Sequence, residues 1–542
     1  MSKAIPFSDW KQNLFLSEND KQQEFWMLDD THFSGPLTPL YASFLLPAVS
    51  IGTKRAFENM KMPISQFLVK LDHGYYYQAM PPHPEPFEER IIKHQNKMEE
   101  YFPRVKSYLE SKVNEFYMPF YRLLSERSIG ELSLNQALEN VKELQDFYLK
   151  AWECHFEITI PRTALAVVLE EAYGQVTGKG DTKEVYDLLQ GVMNMSLETD
   201  RGLWLLANQV KASEFLSSSL TNSLDSFKTL EQTGEGREFL EELMDFLSIY
   251  GHRKSATHEF AEETWFENPA YALSIIKKYV LKDYHFDLEF QQLVAERQEK
   301  VGALFKLLPD SELTDRFKTL YNWALSCWGV DEDHHFYIDA MIAAKSRYFL
   351  KNVGRTLVRY RVITAEEDIF YLFLDDLLEV LQEPKALHEL VGQNKNRMKE
   401  YKKRKPEPFF GTQSNLPADP VIERIFGLLP NVPGEKAKSF KGNAASAGIY
   451  SGKVKVITGQ EDFSKLNKGD ILVCKTTAPS WTVLFPIAGA LITDAGGILA
   501  HASIIAREYR LPAVVGTKVA TTLLKDGDLV TVDGKDGIVY LE

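Results

Sequence analysis

The chain has 542 residues, 44% of them hydrophobic and 25% charged. This composition excludes a disordered, collagen-like or disulfide-scaffold protein. With Lys+Arg at 62 and Asp+Glu at 76, the net charge of -14 argues against a general nucleic-acid binder and a basic membrane-surface protein.

The N-terminal segment MSKAIPFSDWKQNLFLSENDKQQ lacks the apolar centre of a signal peptide. No run of about 20 apolar residues occurs, so no membrane helix is expected. Cys154, Cys327 and Cys474 are scattered without metal-ligand spacing, which suits a reducing compartment. The expected location is cytoplasmic, with neither membrane nor nucleic acid as a partner.

Up to about residue 395 the helical period dominates. Tyr75-Tyr76-Tyr77 follows His73-Gly74, and on a strand Tyr75 and Tyr77 share a face. Leu132–Tyr148, Glu238–Ile249 and Glu267–Lys282 space their apolar residues three and four apart, as one buried helix face requires. Asn268-Pro269 reads as the cap and first turn of the last of these. Thr177-Gly178-Lys179-Gly180-Asp181 reads as a turn, because it lacks the spacing of a phosphate-cradling loop. The basic run Lys395–Lys405 precedes Pro406, Pro408, Pro417, Pro420, Pro430 and Pro433, a texture that reads as a linker.

From Asn443 the period becomes two. Gly452–Ile457, Asp470–Cys474, Ala488–Thr493, Ala513–Val515, Asp528–Val532 and Gly537–Leu541 read as strands, and Ala500–Glu508 as a helix. Asp533-Gly534 signals a hairpin. The expected fold is multidomain: a large, mainly helical domain (1–405), a Pro/Gly-rich linker (406–440) and a small α/β domain (441–542).

The segment with the most chemistry is Asp494-Ala495-Gly496-Gly497-Ile498-Leu499-Ala500-His501. A buried strand ends at Asp494, and two glycines permit backbone that a Cβ would forbid. A helix follows with His501 in its first turn, where free N–H groups favour a negative group. An imidazole there suits nucleophilic attack on phosphorus.

With Ala506-Arg507-Glu508 and Leu511-Pro512-Ala513-Val514-Val515-Gly516, this segment resembles the phosphohistidine signature of the phosphoenolpyruvate-utilising, or dikinase, superfamily. Thr476-Thr477-Ala478-Pro479 resembles the loop before its active-site strand. Ala500 departs from the Ser or Thr frequent in the family, which puts hydroxyl-dependent regulation in doubt.

Upstream, Gly251-His252-Arg253, Glu259 and Trp265-Phe266-Glu267-Asn268-Pro269 resemble the acceptor domain of the rifampin phosphotransferases. So do Trp26…Asp29-Asp30-Thr31-His32…Thr38-Pro39-Leu40, the Glu332–Tyr337 segment and Asp368–Leu374. Phenylphosphate synthases are similar and keep ATP handling on a separate subunit.

The resemblance implies that His501 is the phosphorylated residue. Read from their chemistry, His252 suits a base and Arg253 a phosphate clamp, although both equally suit buried, paired residues closing a helix turn. Gly496, Gly497, Thr476, Thr477 and Arg507 are the expected phosphate-binding residues. His32, Glu259, His335 and Tyr337 are the expected acceptor-binding residues. Adjacent His334 and His335, set among Asp331, Glu332 and Asp333, point about 100° apart on a helix, so no metal site is assigned and the pair reads as a solvated face or as one substrate-contacting histidine.

No segment resembles an ATP-grasp domain. The expected function is therefore a phosphotransferase subunit that carries a phosphoryl group on His501. The donor would be an ATP-grasp partner handling ATP and Mg²⁺ in trans, with no cofactor bound tightly to this chain. The acceptor would be a small-molecule hydroxyl, phenolic or otherwise aromatic. The alternative is a phosphorelay or regulatory carrier with no acceptor of its own.

Overall fold

The computed structural model describes residues 13–33, 35–180, 182–222, 226–254, 258–281, 284–412 and 438–542. The chain is multidomain, with a large, mostly helical region and a C-terminal α/β region. Contacts divide it into two units. One comprises Met1–Pro161, Ala256–Glu262 and Tyr337–Pro417; the other comprises Arg162–Ser255, Glu263–Phe336 and Ala418–Glu542. This grouping cuts across the stretch 1–405. Among the described residues, no helix is long and apolar enough to cross a membrane.

The first unit carries a four-stranded antiparallel sheet in the order β2-β3-β1-β4, formed by β1 (Trp26–Leu28), β2 (Leu68–Asp72), β3 (Tyr75–Ala79) and β4 (Phe409–Phe410). The tyrosine alternation holds on β3. Tyr75 donates to the carbonyls of Tyr401 and Arg404, and Tyr77 to that of Glu407, whereas the Tyr76 ring lies tilted against Phe33 at 4.5 Å. The helix Pro39–Asn59 is buried along most of its length, with Phe44 packed edge-on against Tyr148 and Phe260.

The second unit combines the helices Met195–Ala212, Gly234–Tyr250, Ala270–Val280 and Phe286–Leu307 with an eight-stranded sheet. Its strands are β5 (Ser439–Lys441), β6 (Asn443–Ser446), β7 (Ile449–Val456), β8 (Ile471–Cys474), β9 (Ala490–Thr493), β10 (Ala513–Val515), β11 (Leu529–Asp533) and β12 (Ile538–Leu541), in the order β5-β12-β11-β7-β8-β9-β10-β6. Strands β7 to β10 pair in parallel and the others antiparallel.

The central strands are apolar on both faces because both are covered. Ile471 and Val473 join one core with Ile492, Val514 and Val530. Leu472 and Cys474 point the other way, into a core shared with Trp204, Leu243, Ile276, Trp481 and Ile505. The helices and the sheet of this unit thus share one apolar interior.

The sequence strands all occur, with ends shifted by a few residues. The hairpin at Asp533 is longer than a two-residue turn: Asp533 pairs with Ile538, and its carboxylate accepts the N–H groups of Lys535 and Asp536. Within 406–440, Phe409–Phe410 pairs with β1, and Ser439–Lys441, which begins there, pairs with β12. Pro417, Pro420, Pro430 and Pro433 lie outside the described residues, as do Asp181 and Lys282.

Candidate functional site

The site grows from the end of β9. The Asp494 carboxylate accepts from the Thr521 N–H at 3.1 Å, from the Thr521 hydroxyl and from the Thr517 hydroxyl at 3.3 Å, which fixes the exit of the strand. Gly496 then takes φ +114, a region in which L side chains are strained. Its carbonyl accepts from the Asn443 side chain. The Gly497 carbonyl accepts from the Ser503 hydroxyl at 2.8 Å, so the loop is tied to the helix His501–Glu508 that it feeds. Ala500 sits at the N-cap and supplies no side-chain hydrogen bond.

His501 is buried. Its Nδ1 lies 2.8 and 3.0 Å from the two carboxylate oxygens of Glu332. The Ser196 hydroxyl donates to the same carboxylate at 2.5 Å. Burial pushes the Glu332 carboxyl up, but the His501 imidazole and its hydrogen bond, with the charge at His335, overcome this and hold it below its ordinary range. The carboxylate is therefore ionised and can only accept, so the proton between the two residues sits on Nδ1. Nε2, on the other side of the ring, lies 3.5 Å from the Thr482 hydroxyl.

Local structure explains how these pieces meet. Asn194 caps the helix Met195–Ala212 by accepting the N–H groups of Ser196 and Leu197. Asp333 accepts the Met195 N–H at 2.9 Å, locking that helix start to the short helix Val330–His334 that bears Glu332. One turn on, Thr199 accepts from Arg253 Nη2 at 2.7 Å, and the Met195 carbonyl accepts from the same nitrogen. One helix start thus positions both Glu332 and Arg253.

Arg253 is buried over the Phe336 ring, and burial lowers its guanidinium to about 10 against the pull of Glu332. Among the described residues its Nε and Nη1 make no hydrogen bond. His252 is buried beside it, after the turn at Gly251 that ends the helix Gly234–Tyr250. The next carbonyl, that of Lys254, accepts from the Ser480 hydroxyl at 2.7 Å and so joins this turn to the 479–484 segment bearing Thr482.

Of the expected phosphate-binding residues, Gly496 and Gly497 precede His501 directly. The Thr477 hydroxyl is buried and makes no hydrogen bond among the described residues, and Thr476 is half-buried beside it. Arg507 faces its own loop, donating to the Ile498 carbonyl at 2.7 Å and lying over the Tyr186 ring. Of the expected acceptor-binding residues, His335 is in the second unit, with its ring 4.1 Å from that of His334. His32, Glu259 and Tyr337 are in the first. There His32 Nδ1 contacts Asp29 at 2.9 Å, Glu259 accepts from the N–H and hydroxyl of Thr38, and the Tyr337 carbonyl accepts from the Tyr121 hydroxyl.

Glu332, Ser196, Thr199 and Thr482 were missed as site residues in the sequence. The acidic segment Asp331-Glu332-Asp333 is not a solvated face. Glu332 is 1% exposed, Asp331 pairs with Arg162 at 2.6 Å, and Asp333 accepts the Met195 N–H. Each carboxylate has a partner far away in sequence, and the charge run carries no trace of that.

Residues 466–537 match the model of the mobile domain of PEP-utilising enzymes, and residues 155–332 that of the rifampicin phosphotransferase fourth domain. Both matches support a relation to the PEP-utilising superfamily. The mobile-domain match contains His501, and the fourth-domain match ends on Glu332. Over 529 residues the chain is 37% identical to an uncharacterized phosphotransferase, YvkC, of Bacillus subtilis, covering 97% of this chain and 63% of that protein. It is 28% identical to the rifampicin phosphotransferase of Bacillus cereus over 435 residues, covering 77% of this chain and 48% of the relative. Over 100 residues it is 56% identical to a probable phosphoenolpyruvate synthase of Archaeoglobus fulgidus, covering 18% of this chain and 13% of that protein. The chain thus spans less than two thirds of the length of each of these relatives.

Proposed function

We propose that this chain is the carrier and acceptor part of a phosphotransferase. His501 takes a phosphoryl group through Nε2 at an ATP-grasp unit outside these 542 residues, supplied in trans with ATP and Mg²⁺. The domain 441–542 then moves on the linker 406–440 to deliver it to a small-molecule hydroxyl, phenolic or otherwise aromatic, bound in the helical domain 1–405. Arg253 clamps the incoming phosphoryl group, since its unbonded guanidinium nitrogens suit phosphate oxygens. His252 takes the hydroxyl proton. Gly496, Gly497, Thr476 and Thr477 cradle the phosphoryl group, with Arg507 bracing the loop. Within the second unit, His335 contributes to acceptor recognition. We place the protein in the cytoplasm.

The observation that carries this reading is the hydrogen bond between His501, in the phosphohistidine signature, and Glu332, in the segment resembling an antibiotic phosphotransferase domain. Carrying phosphate on a mobile histidine keeps the two substrates apart and lets each site exclude water from its own step.

The test is to mix the chain with an ATP-grasp protein and ATP radiolabelled at the β-phosphate. Acid-labile label is expected on the wild type and not on His501→Ala. Equal labelling of both removes His501 from the mechanism. Label that stays on His501 in the presence of every hydroxyl acceptor tried favours a relay.

A further inference from the structure

The carboxylate of Glu332 acts on the far side of the His501 ring from the nitrogen that meets phosphorus. Both its oxygens approach Nδ1, and the Ser196 hydroxyl fixes its orientation. The bond a histidine makes through one nitrogen decides what the other can do. Here Nδ1–H leaves Nε2 nucleophilic, as required to accept a phosphoryl group. The same proton matters more on the return. Breaking a P–N bond sends its electron pair to Nε2. With Nδ1 bare, the departing ring is an imidazolate anion, a poor leaving group. With Nδ1 protonated, it departs as neutral imidazole.

We infer that Glu332, aligned by Ser196, is a positioning residue that holds the proton on Nδ1 of phosphorylated His501 and makes its P–N bond labile. Glu332 and Ser196 belong to the helical segments, not to residues 441–542 that carry the histidine. The assistance therefore exists only where the His501 helix meets Val330–His334, and the phosphoryl group is kept during transit and released on arrival. The balance is complete: the acceptor oxygen forms the new P–O bond, the P–Nε2 bond breaks with its pair going to Nε2, and the hydroxyl proton leaves to the base assigned above, His252. The ring ends neutral with Nδ1–H, in the tautomer needed for the next round. The inference rests on His501 being the carrier.

The test uses the full chain with His501 loaded by phosphoramidate, which phosphorylates imidazole with loss of ammonia and needs no partner protein. Discharge to water and to phenol is followed by phosphorus NMR, and the tautomer by nitrogen NMR of imidazole-labelled histidine. Wild type is expected to show a protonated Nδ1. Glu332→Gln is expected to discharge on the order of 10²-fold more slowly, with its tautomer signature shifted. Ser196→Ala should fall between the two, and Glu332→Asp should recover part of the rate. Equal discharge and an unchanged nitrogen spectrum in Glu332→Gln overturn the inference while leaving His501 as the carrier. Absence of label on His501 in the wild type, judged against His501→Ala, overturns the carrier reading and this inference with it. Should Glu332→Gln not fold, the wild-type spectrum decides alone, and an unprotonated Nδ1 overturns the inference.

Discussion

The carboxylate of Glu508, the last residue of the His501 helix, accepts the backbone N–H of Gly191 at 2.8 Å. Burial pushes its carboxyl from 4.5 up to about 7, against that hydrogen bond and the charges of Arg297 and Arg507. The folded protein thus binds a proton between these two pH values that the unfolded chain has released. Stability is highest below pH 4.5 as far as this group is concerned. It falls as pH rises through the interval and reaches its full penalty above about 7. At ~1.4 kcal/mol per pH unit the penalty is up to roughly 3 kcal/mol. Denaturant midpoints measured from pH 5 to 8 are expected to decline in the wild type and to decline less steeply in Glu508→Gln. Parallel slopes would show that Glu508 is not the group responsible.

Asp200 anchors the residue that follows. Its carboxylate receives the hydroxyls of Tyr279, Tyr284 and Tyr509, and all four side chains are buried or nearly so. A hydrogen bond to a charged group contributes about 1.5–3 kcal/mol. Tyr509→Phe is expected to lower the unfolding free energy by about that amount, because two donors remain. Asp200→Ala is expected to cost more, since it removes the shared acceptor of three hydroxyls in a dry interior, although Tyr279 keeps another, the Val483 carbonyl. If the two variants unfold at the same denaturant concentration, the carboxylate is not the hub of this cluster.

How much of this was legible in the sequence follows from where each signal resides. Ile471–Cys474 and Ala490–Thr493 were readable because strands covered on both faces give unbroken apolar runs. The glycine loop and His501 were readable because they lie within a few residues of one another. Strand β6, Asn443–Ser446, was missed: it has no β-branched residue and pairs at the sheet edge with a register shift against β10. The Glu332 contacts were out of reach, since the carboxylate meets His501 169 residues away and Ser196 136 residues away. Periodicity describes which face of an element is buried, not which polar group waits there.

Gly496 tests the loop itself. At φ +114 an added Cβ is strained, and it would also meet the Ala500 Cβ at 3.3 Å, against the residue that starts the His501 helix. Gly496→Ala is expected to destabilise the protein by about 1–3 kcal/mol and to reduce phosphoramidate loading of His501. A variant with wild-type loading and stability would show that the loop conformation is not needed at the histidine.

Arg253 offers a test of the proposed acceptor site. Its Nη2 is occupied by Thr199 and Met195, while Nε and Nη1 make no hydrogen bond among the described residues. An anion drawn to those two nitrogens gains two charge-assisted hydrogen bonds in a dry site. Removing such a donor from a developing phosphate charge costs on the order of 10²–10³ in rate. Arg253→Ala is therefore expected to load His501 normally from phosphoramidate, since loading needs only Nε2, and to lose transfer to an acceptor by that factor. Lysine has one compact charge and no planar fork, so it cannot serve Thr199 and a phosphate oxygen in the same geometry. Arg253→Lys is accordingly expected to recover only a small part of the loss. Loading and transfer measured on the same preparation distinguish the outcomes: a variant that loses both is a folding defect, and one that loses neither removes Arg253 from the acceptor site.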